Sequence, residues 1–473
     1  MSADDPGPTL TDAAGMGGVI AQDGFDYQLW DALSRVPAWL ANPAFEGMIF
    51  EGLEDFEARF FAPHAPQRRV AERYQGKSAQ LMPKEVRQVF ERFHAFDSKH
   101  PSVARLHTLV TQRLPPTLDW VGRDAARVRR ARPFYAPFQT VIAASEEKLR
   151  DDFIEEYENE LGDFVFHAVE IAERIIPDRD AGLNAFSVAL GRSFPALDVG
   201  ARKAEAAFDA LEKLGRGSMG KMLERKELLL TIETALSSSL TSGVFPVHIR
   251  SDRTGSNETA LEIDASAFCG GALAYPTTPT WATELIEPLQ ETARWLTSRT
   301  VSRVALGGSF RLTTGFVIGW SFRAATGFEL EIPTRPNPWN TDDRPLAEDA
   351  EPERTIVEPT SKLQGDSMVV ALGVLRRPAD DLIAAGVDPA SILSIDFKDP
   401  ITSSRMAQRM VSVAKAAISS VATKLKPKVI DLHFAGPAAF AVALGHRWNA
   451  MGPTQLYELV PPTRAYVATA LLP

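Results

Sequence analysis

Apolar positions along the chain fall into three successive patterns. In GFDYQLWDALSRVPAWL, Phe25, Leu29, Leu33 and Val36 recur at three- and four-residue steps, which predicts an amphipathic opening helix. MIFEGLEDFEARFF then predicts two short strands about a turn at Gly52. RVAERYQGK predicts a third strand, with Val70 and Tyr74 on one face and Arg73, Gln75 and Lys77 on the other. PKEVRQVFERFHAF returns to helical spacing, with Pro83 in its first turn. The order helix, strand, strand, strand, helix predicts an α/β domain over about residues 1–140.

From Ser145 to Thr234 the spacing is helical almost throughout, in EEKLRDDFIEEYENELGDFVFHAVEIAERII, ARKAEAAFDALEKLG and GKMLERKELLLTIETALSS. A helical section over residues 141–235 that joins two functional domains is expected, and the lack of a fixed repeat excludes a solenoid. From Phe245 strands and helices alternate. VALGGSFRLTTGFVIGWSFR and FELEIP read as strands, and RPNPWNTDDRPLAEDAEPERTIVEPTSK as a Pro-rich acidic crossover. SMVVALGVL has the continuous apolar character of a parallel-sheet strand. Behind it come a helix at PADDLIAAGV, the strand SILSIDF, a helix ending in SSVATKL, the strand KVIDLHFAG, the helix PAAFAVALGHRWN, and the strands QLYELV and RAYVATALL. That rhythm predicts a doubly wound α/β domain within residues 236–473.

The length of 473 residues agrees with two to three domains, making the chain an α/β multidomain protein. Its lone cysteine, Cys269, excludes a disulfide framework and a thiolate zinc site, and points to a reducing cytoplasm. No apolar run is long enough to cross a bilayer, and the acidic start MSADDPGPTL lacks the basic and apolar regions of a signal peptide. A net charge of -10 argues against indiscriminate coating of nucleic acid. Within GRDAARVRRARP, however, Arg123, Arg127, Arg129, Arg130 and Arg132 face a single Asp124. That run is either a solvated helix face or a phosphate-contacting surface.

Hydrolysis of a phosphodiester with Mg²⁺ or Mn²⁺ calls for hard oxygen ligands and a lysine near the attacking water. Asp55 on one side of a hairpin and Gln75-Gly76-Lys77 on the other meet that need, with Glu51 as a further candidate ligand. Asp55 could instead serve the turn, with Glu54 or Glu57 as the acid, and Gln75 and Lys77 could be the exposed face of an edge strand. His64, His94, His100 and His107 lack zinc-ligand spacing. Taken together, these residues resemble the PD-(D/E)xK restriction-endonuclease superfamily, in which an Asp precedes an (E/Q)xK pair across a hairpin. The resemblance implies an α/β/α nuclease fold with Asp55, Gln75 and Glu51 as metal ligands and Lys77 as the catalytic lysine. GFDYQ also resembles the opening helix of one branch of that superfamily, which would deliver Tyr27 and Gln28 towards the site.

Downstream, DLHFAGPAAFAVALGHRWN sets a strand end against Gly436-Pro437 and a new helix, where backbone N–H groups and the helix dipole can receive phosphate. A tight turn without a ligand fits the same residues. HFAGP, FAVALG, the Asn449-to-Tyr457 region and GSFRLTTGFVIGWSFR resemble the SAVED domain, a fused pair of CARF-like, Rossmann-like sensors of cyclic oligonucleotides. The resemblance implies halves at about 236–350 and 360–473. It also implies a pocket between two strand ends, GWSFR in the first half and HFAG in the second. Arg311 and Arg323 would neutralise phosphate there, Trp320, Phe322 or Trp339 would stack on bases, and Phe434, Ala435, Gly436 and Pro437 would line the turn. A nuclease joined to a SAVED sensor resembles the DNA-degrading effectors of CBASS anti-phage systems. That likeness implies a double-stranded DNA endonuclease that is silent until a cyclic oligonucleotide, of the trinucleotide kind, binds and drives homo-oligomerisation. A scaffold with an inactive nuclease-like domain and an RNase with the same trigger are the alternatives.

Overall fold

The computed structural model describes residues 22–50, 55–77, 81–124, 143–197, 199–241, 243–251, 259–270, 274–361, 366–460 and 465–473. It divides into two compact units, Met1–Ser242 with Gly255–Leu261, and Gly243–Thr254 with Glu262–Pro473.

The first unit runs α1 (Gln22–Ala41), β1 (Phe45–Phe50), β2 (Phe56–Phe61), β3 (Arg69–Lys77), α2 (Pro83–Lys99), β4 (Ala104–Thr111), α3 (Ala143–Tyr157), α4 (Asn159–Ala168), β5 (Val169–Glu173), α5 (Arg179–Ser193), α6 (Ala201–Gly217), β6 (Met222–Glu224) and α7 (Arg225–Leu236). One six-stranded sheet of order β5-β4-β3-β2-β1-β6 forms its middle layer. The meander β1-β2-β3 is antiparallel, whereas β4 and β5 add in parallel on the β3 side. Helices cover both faces. Phe90 and Phe93 of α2 meet Leu109 of β4 and Phe153 and Phe166 of α3 and α4 in one core. On the other face Leu29, Leu33 and Trp39 of α1 join Phe56, Phe186, Phe208 and Ile232.

This layering changes the picture of the helical section. Its helices split between the two faces of the first sheet and share one unit with it, and VEIAE, read as helical, is strand β5 at the sheet edge. Pairing with β4 decides the matter, because five residues with two β-branched side chains gain a ladder that a lone helical turn cannot offer. The edge-strand reading of RVAERYQGK also falls. β3 is paired on both sides, and Arg73, Tyr74, Gln75 and Gly76 are all buried.

The second unit holds β7 (Phe245–Arg250), β8 (Leu261–Asp264), α8 (Thr278–Trp281), α9 (Glu287–Ser298), β9 (Arg303–Gly308), α10 (Leu312–Ser321), β10 (Glu329–Ile332), β11 (Trp339–Asn340), β12 (Arg354–Val357), β13 (Ser367–Val374), α11 (Pro378–Ala384), β14 (Ile392–Phe397), α12 (Ser404–Leu425), β15 (Val429–Ala435), α13 (Ala438–His446), β16 (Thr454–Val460) and β17 (Ala465–Leu472). Two sheets result, ordered β11-β10-β9-β7-β8 and β12-β14-β13-β15-β16-β17. In the latter, β14, β13, β15 and β16 are parallel neighbours, which is the 2-1-3-4 order of a doubly wound sheet.

LTTGFVIGWS, expected as a strand, is the helix α10. Every residue from Thr313 to Ser321 is buried, so the segment has no polar face and its apolar run carries no period to distinguish helix from strand. Its glycines explain the burial. A Cβ on Gly319 would lie 2.0 Å from the Val442 carbonyl oxygen of α13, and one on Gly445 would lie 2.1 Å from that of Phe316. Near the other end a Cβ on Gly315 would approach the Ala438 carbonyl oxygen at 3.1 Å. The two helices therefore cross with backbones in contact, start beside start and end beside end.

Two buried histidines lie in this unit. His433 of β15 stacks on Tyr457 at 4.2 Å, and His446 of α13 pairs through Nδ1 with the Phe322 carbonyl. Burial pulls both down to a pKa of about 4. Unfolding releases them to the ordinary value near 6.5, so the unfolded chain binds protons that the folded chain refuses. Stability of the second unit is complete above about pH 6.5 and falls as pH drops towards 4, by at most roughly 3 kcal/mol per histidine. Urea midpoints measured between pH 7.5 and 5 check this, with His433→Gln flattening the slope.

Candidate functional site

In the first unit the residues around Gly76 converge as their elements dictate. Asp55 stands just before β2, and its backbone N–H donates to the Tyr74 carbonyl at 3.2 Å, which locks it against β3. Its carboxylate accepts from Gln75 Nε2 at 3.0 and 3.1 Å and from the Gly76 backbone N–H. A Cβ at position 76 would sit 3.1 Å from Asp55 Oδ2, 3.2 Å from Tyr27 Cε1 and 3.4 Å from Gln28 Cγ. Glycine is what lets the carboxylate and the start of α1 close in together. Lys77 follows on the same strand, half-buried, one pleat period beyond Gln75.

Asp55 and Gln75 are buried, at 9% and 8% exposure. Tyr27 Oη and Gln28 Oε1 are buried without a hydrogen-bond partner among the described residues. Burial and the charge of Asp31 push the Tyr27 phenol up to about 12, so it stays protonated and able to donate. Behind it, Asp31 holds Arg35 at 3.0 Å and Arg174 at 2.9 Å, and Arg35 lies 4.7 Å over the Tyr74 ring. This buried network braces α1 against β3. His107, 0% exposed, bonds Asp97 at 3.0 Å and stacks on Phe93, so it is a packing residue. Glu51 lies outside the described residues, as do Arg127, Arg129, Arg130 and Arg132, whereas Arg123 is exposed. Among the described residues no three His, Cys, Asp or Glu side chains are placed to hold a metal together, and of the expected ligands Asp55 and Gln75 are the two described.

In the second unit the structure sorts the expected pocket residues between the two ends of the α10–α13 pair. Arg311 is the N-cap of α10 and exposed, with its Nε bonded to the Cys269 carbonyl at 2.8 Å. Phe434, Ala435, Gly436 and Pro437 form the turn from β15 into α13, where a Cβ on Gly436 would meet the Phe434 ring at 2.7 Å and Val374 at 3.3 Å. Val374 ends β13, so this turn opens at the point where the strand order reverses, the usual ligand crevice of a doubly wound sheet. These residues share one end of the helix pair.

Trp320, Phe322 and Arg323 close the other end. Trp320 and Phe322 are core side chains at 4% and 0% exposure, and Arg323 packs 4.9 Å over the Trp320 ring. Trp339 lies on edge strand β11, two residues from Thr341, whose carbonyl accepts from Arg447 at the C-terminal end of α13 at 2.8 Å. The expectation that GWSFR ends a strand facing the same pocket as HFAG is thus corrected, because that segment is the C-terminal end of a buried helix. Sequence reasoning missed Glu458, a buried carboxylate on β16 that accepts from the Thr313 backbone N–H at the start of α10, at 2.7 Å. Its signal in the sequence is slight, one acid within the strand QLYELV.

Two successive α/β units, the second with a crevice at a strand-order switch, define a multidomain α/β protein whose second unit contains a doubly wound, Rossmann-like sheet. Residues 287–472 match the family model of the SMODS-associated and fused to various effectors sensor domain, SAVED. Over almost its whole length the chain is similar to CD-NTase-associated protein 4 of Moraxella osloensis, 25% identical across 98% of this chain and 99% of that one. The corresponding protein of an Acinetobacter species is 24% identical over the same shares. Among solved structures the fold matches the Acinetobacter baumannii Cap4 SAVED/CARF-domain containing receptor with the cyclic trinucleotide 2′3′3′-cAAA. The TM-score is 0.76 at 22% identity, covering 96% of this chain and 99% of that one. The Moraxella osloensis Cap4 receptor matches with a TM-score of 0.70 at 22% identity, over 96% and 100% of the two chains. Among the described residues no helix is long and apolar enough to cross a membrane.

Proposed function

We propose that the chain is a CBASS anti-phage effector, a metal-dependent double-stranded DNA endonuclease whose second unit senses a cyclic trinucleotide. The observation that carries the nuclease half is the convergence of Asp55, Gln75 and Gln28 on Gly76 within a sheet interior, with Lys77 next on the strand. A buried carboxylate beside a carboxamide is costly unless it is satisfied or used. The donor set suits Mg²⁺ or Mn²⁺, whose hard-oxygen preference is met by one or two carboxylates and waters. Asp55 and Gln75, with Glu51 as a further candidate, would hold the ion, which supplies polarisation of the scissile phosphate when bound. Lys77 would steady the charge that develops on the attacked phosphate or take the proton of the attacking water. The Tyr27 hydroxyl would donate to a substrate phosphate, and Gln28 Oε1 would accept from a water of the site.

The sensing half rests on the match to SAVED, on similarity to receptors solved with cyclic trinucleotides, and on the crevice at Gly436-Pro437. There the first N–H groups of α13 would receive a phosphate, with Arg311 nearby. A chain of net charge -10 holds DNA weakly as a protomer. Ligand-driven homo-oligomerisation would gather several copies of the Arg123–Arg132 run and multiply phosphate contacts. Incubation of the protein with plasmid, Mg²⁺ and a panel of cyclic oligonucleotides tests the reading. Plasmid loss only with Mg²⁺ and a cyclic trinucleotide supports it; an intact plasmid beside degraded RNA would replace it with an RNase.

A further inference from the structure

Glu458 occupies a place where an anion is wanted. α10 and α13 start side by side, so the positive ends of two helix dipoles lie together, an arrangement that is unfavourable until negative charge approaches. At the α10 start that charge comes from within the unit. The Glu458 side chain, on a residue only 5% exposed, reaches from β16 to the Thr313 backbone N–H at 2.7 Å. Thr313 Oγ1 in turn lies 3.1 Å from Thr469 Oγ1 on β17, which fixes the first turn of the helix from a second strand. The α13 start has a different character. Its N-cap is Pro437, which offers no side-chain acceptor.

We propose that Glu458 is a specificity-determining residue of the sensor, an internal anion that fills the α10 start and confines a ligand phosphate to the neighbouring α13 start. The inference rests on the reading that a cyclic oligonucleotide binds at this end of the helix pair. Two buried negative groups at adjacent helix starts repel, so the ligand binds more tightly when the Glu458 carboxyl is protonated. Burial already raises its pKa, against the pull of Thr313 and Arg311. The titratable groups that face it are Arg311, Tyr275 from the segment before α8, and Tyr466 on β17, the last flanked by Asp381 and Arg376. Both tyrosines stand at about 12 and keep their protons throughout the neutral range.

The test is calorimetric titration of the full chain and of Glu458→Gln with 3′3′3′-cAAA and 2′3′3′-cAAA from pH 5 to 8, in buffers of different ionisation heat. Glutamine keeps the acceptor for the Thr313 N–H and removes the charge. The parent chain is expected to lose affinity as pH rises and to take up protons on binding. Glu458→Gln should show a flat profile, no proton uptake, and affinity about tenfold higher at pH 8. The parent's own pH profile and proton count stand even if the variant folds poorly. Equal affinities with parallel profiles overturn the inference alone, as does weaker binding by the variant. Absence of binding by both proteins to either ring at every pH overturns the sensing reading and this inference with it.

Discussion

Lys77→Ala is expected to lower ligand-triggered plasmid cutting by at least about a hundredfold, the usual weight of one positioned proton-transfer or charge-stabilising group. Binding of the cyclic trinucleotide should be unchanged, since the two activities are assigned to separate units. Asp55→Asn should be as severe, and for a reason visible in the geometry. The carboxylate accepts from both Gln75 Nε2 and the Gly76 N–H, and an amide placed there would present an N–H against one of those donors. Gln75→Glu separates the two accounts of the glutamine. If position 75 is a ligand, a second carboxylate should lower the Mg²⁺ concentration needed for half-maximal cutting. If the domain is an inactive scaffold, no substitution at 55, 75 or 77 changes a plasmid gel. Cutting that survives Lys77→Ala would remove this cluster from consideration as the active site.

The largest stability effect is expected in the second unit. Gly319→Ala would bring a methyl group to 2.0 Å from the Val442 carbonyl oxygen, which belongs to the partner helix backbone and cannot rotate away as a side chain could. The helices must separate, and the cost is expected at roughly 3 kcal/mol or more. Gly191 in α5 supplies the contrast. A Cβ there meets nothing within 4 Å, so Gly191→Ala should stabilise by about 0.5–1 kcal/mol through helix propensity. Denaturant midpoints of the two variants, read against the parent, should move in opposite directions.

Much of the first unit was legible because β3 alternates apolar and polar residues even though helices cover both faces of its sheet, and because α2 keeps an exposed face opposite Val86, Val89, Phe90 and Phe93. α1 and α2 show helical steps and β3 a two-residue alternation, whereas the preference for Asp55 over Glu54 or Glu57 as the partner of Gln75 comes from the family resemblance and not from the period. β5 was not legible, since a five-residue strand between helices has too few positions to establish a period, and its identity comes from β4. In the second unit the parallel core strands and their following helices could be read in order from Ser367 onward. α10 could not, because total burial erases the polar face that marks a helix. That one misreading put Trp320, Phe322 and Arg323 at the ligand end, whereas a helix ten residues long carries them about 15 Å from its start. Glu458 was hidden for a related reason. A solitary acid in a strand looks solvent-facing, and only the approach of the α10 start makes it buried and bonded.

The glycine crossing of α10 and α13 also bears on how a message could leave the sensor. Helices that slide past one another do so on a cushion of side chains that repack in small steps. Where main chain touches main chain at Gly319 and Gly445 there is no cushion, and any slip would have to clear a whole carbonyl. Such a sensor cannot behave as a pair of jaws. In the function proposed above, it would respond as a solid piece, and what an arriving ring would alter is the outline of its rim.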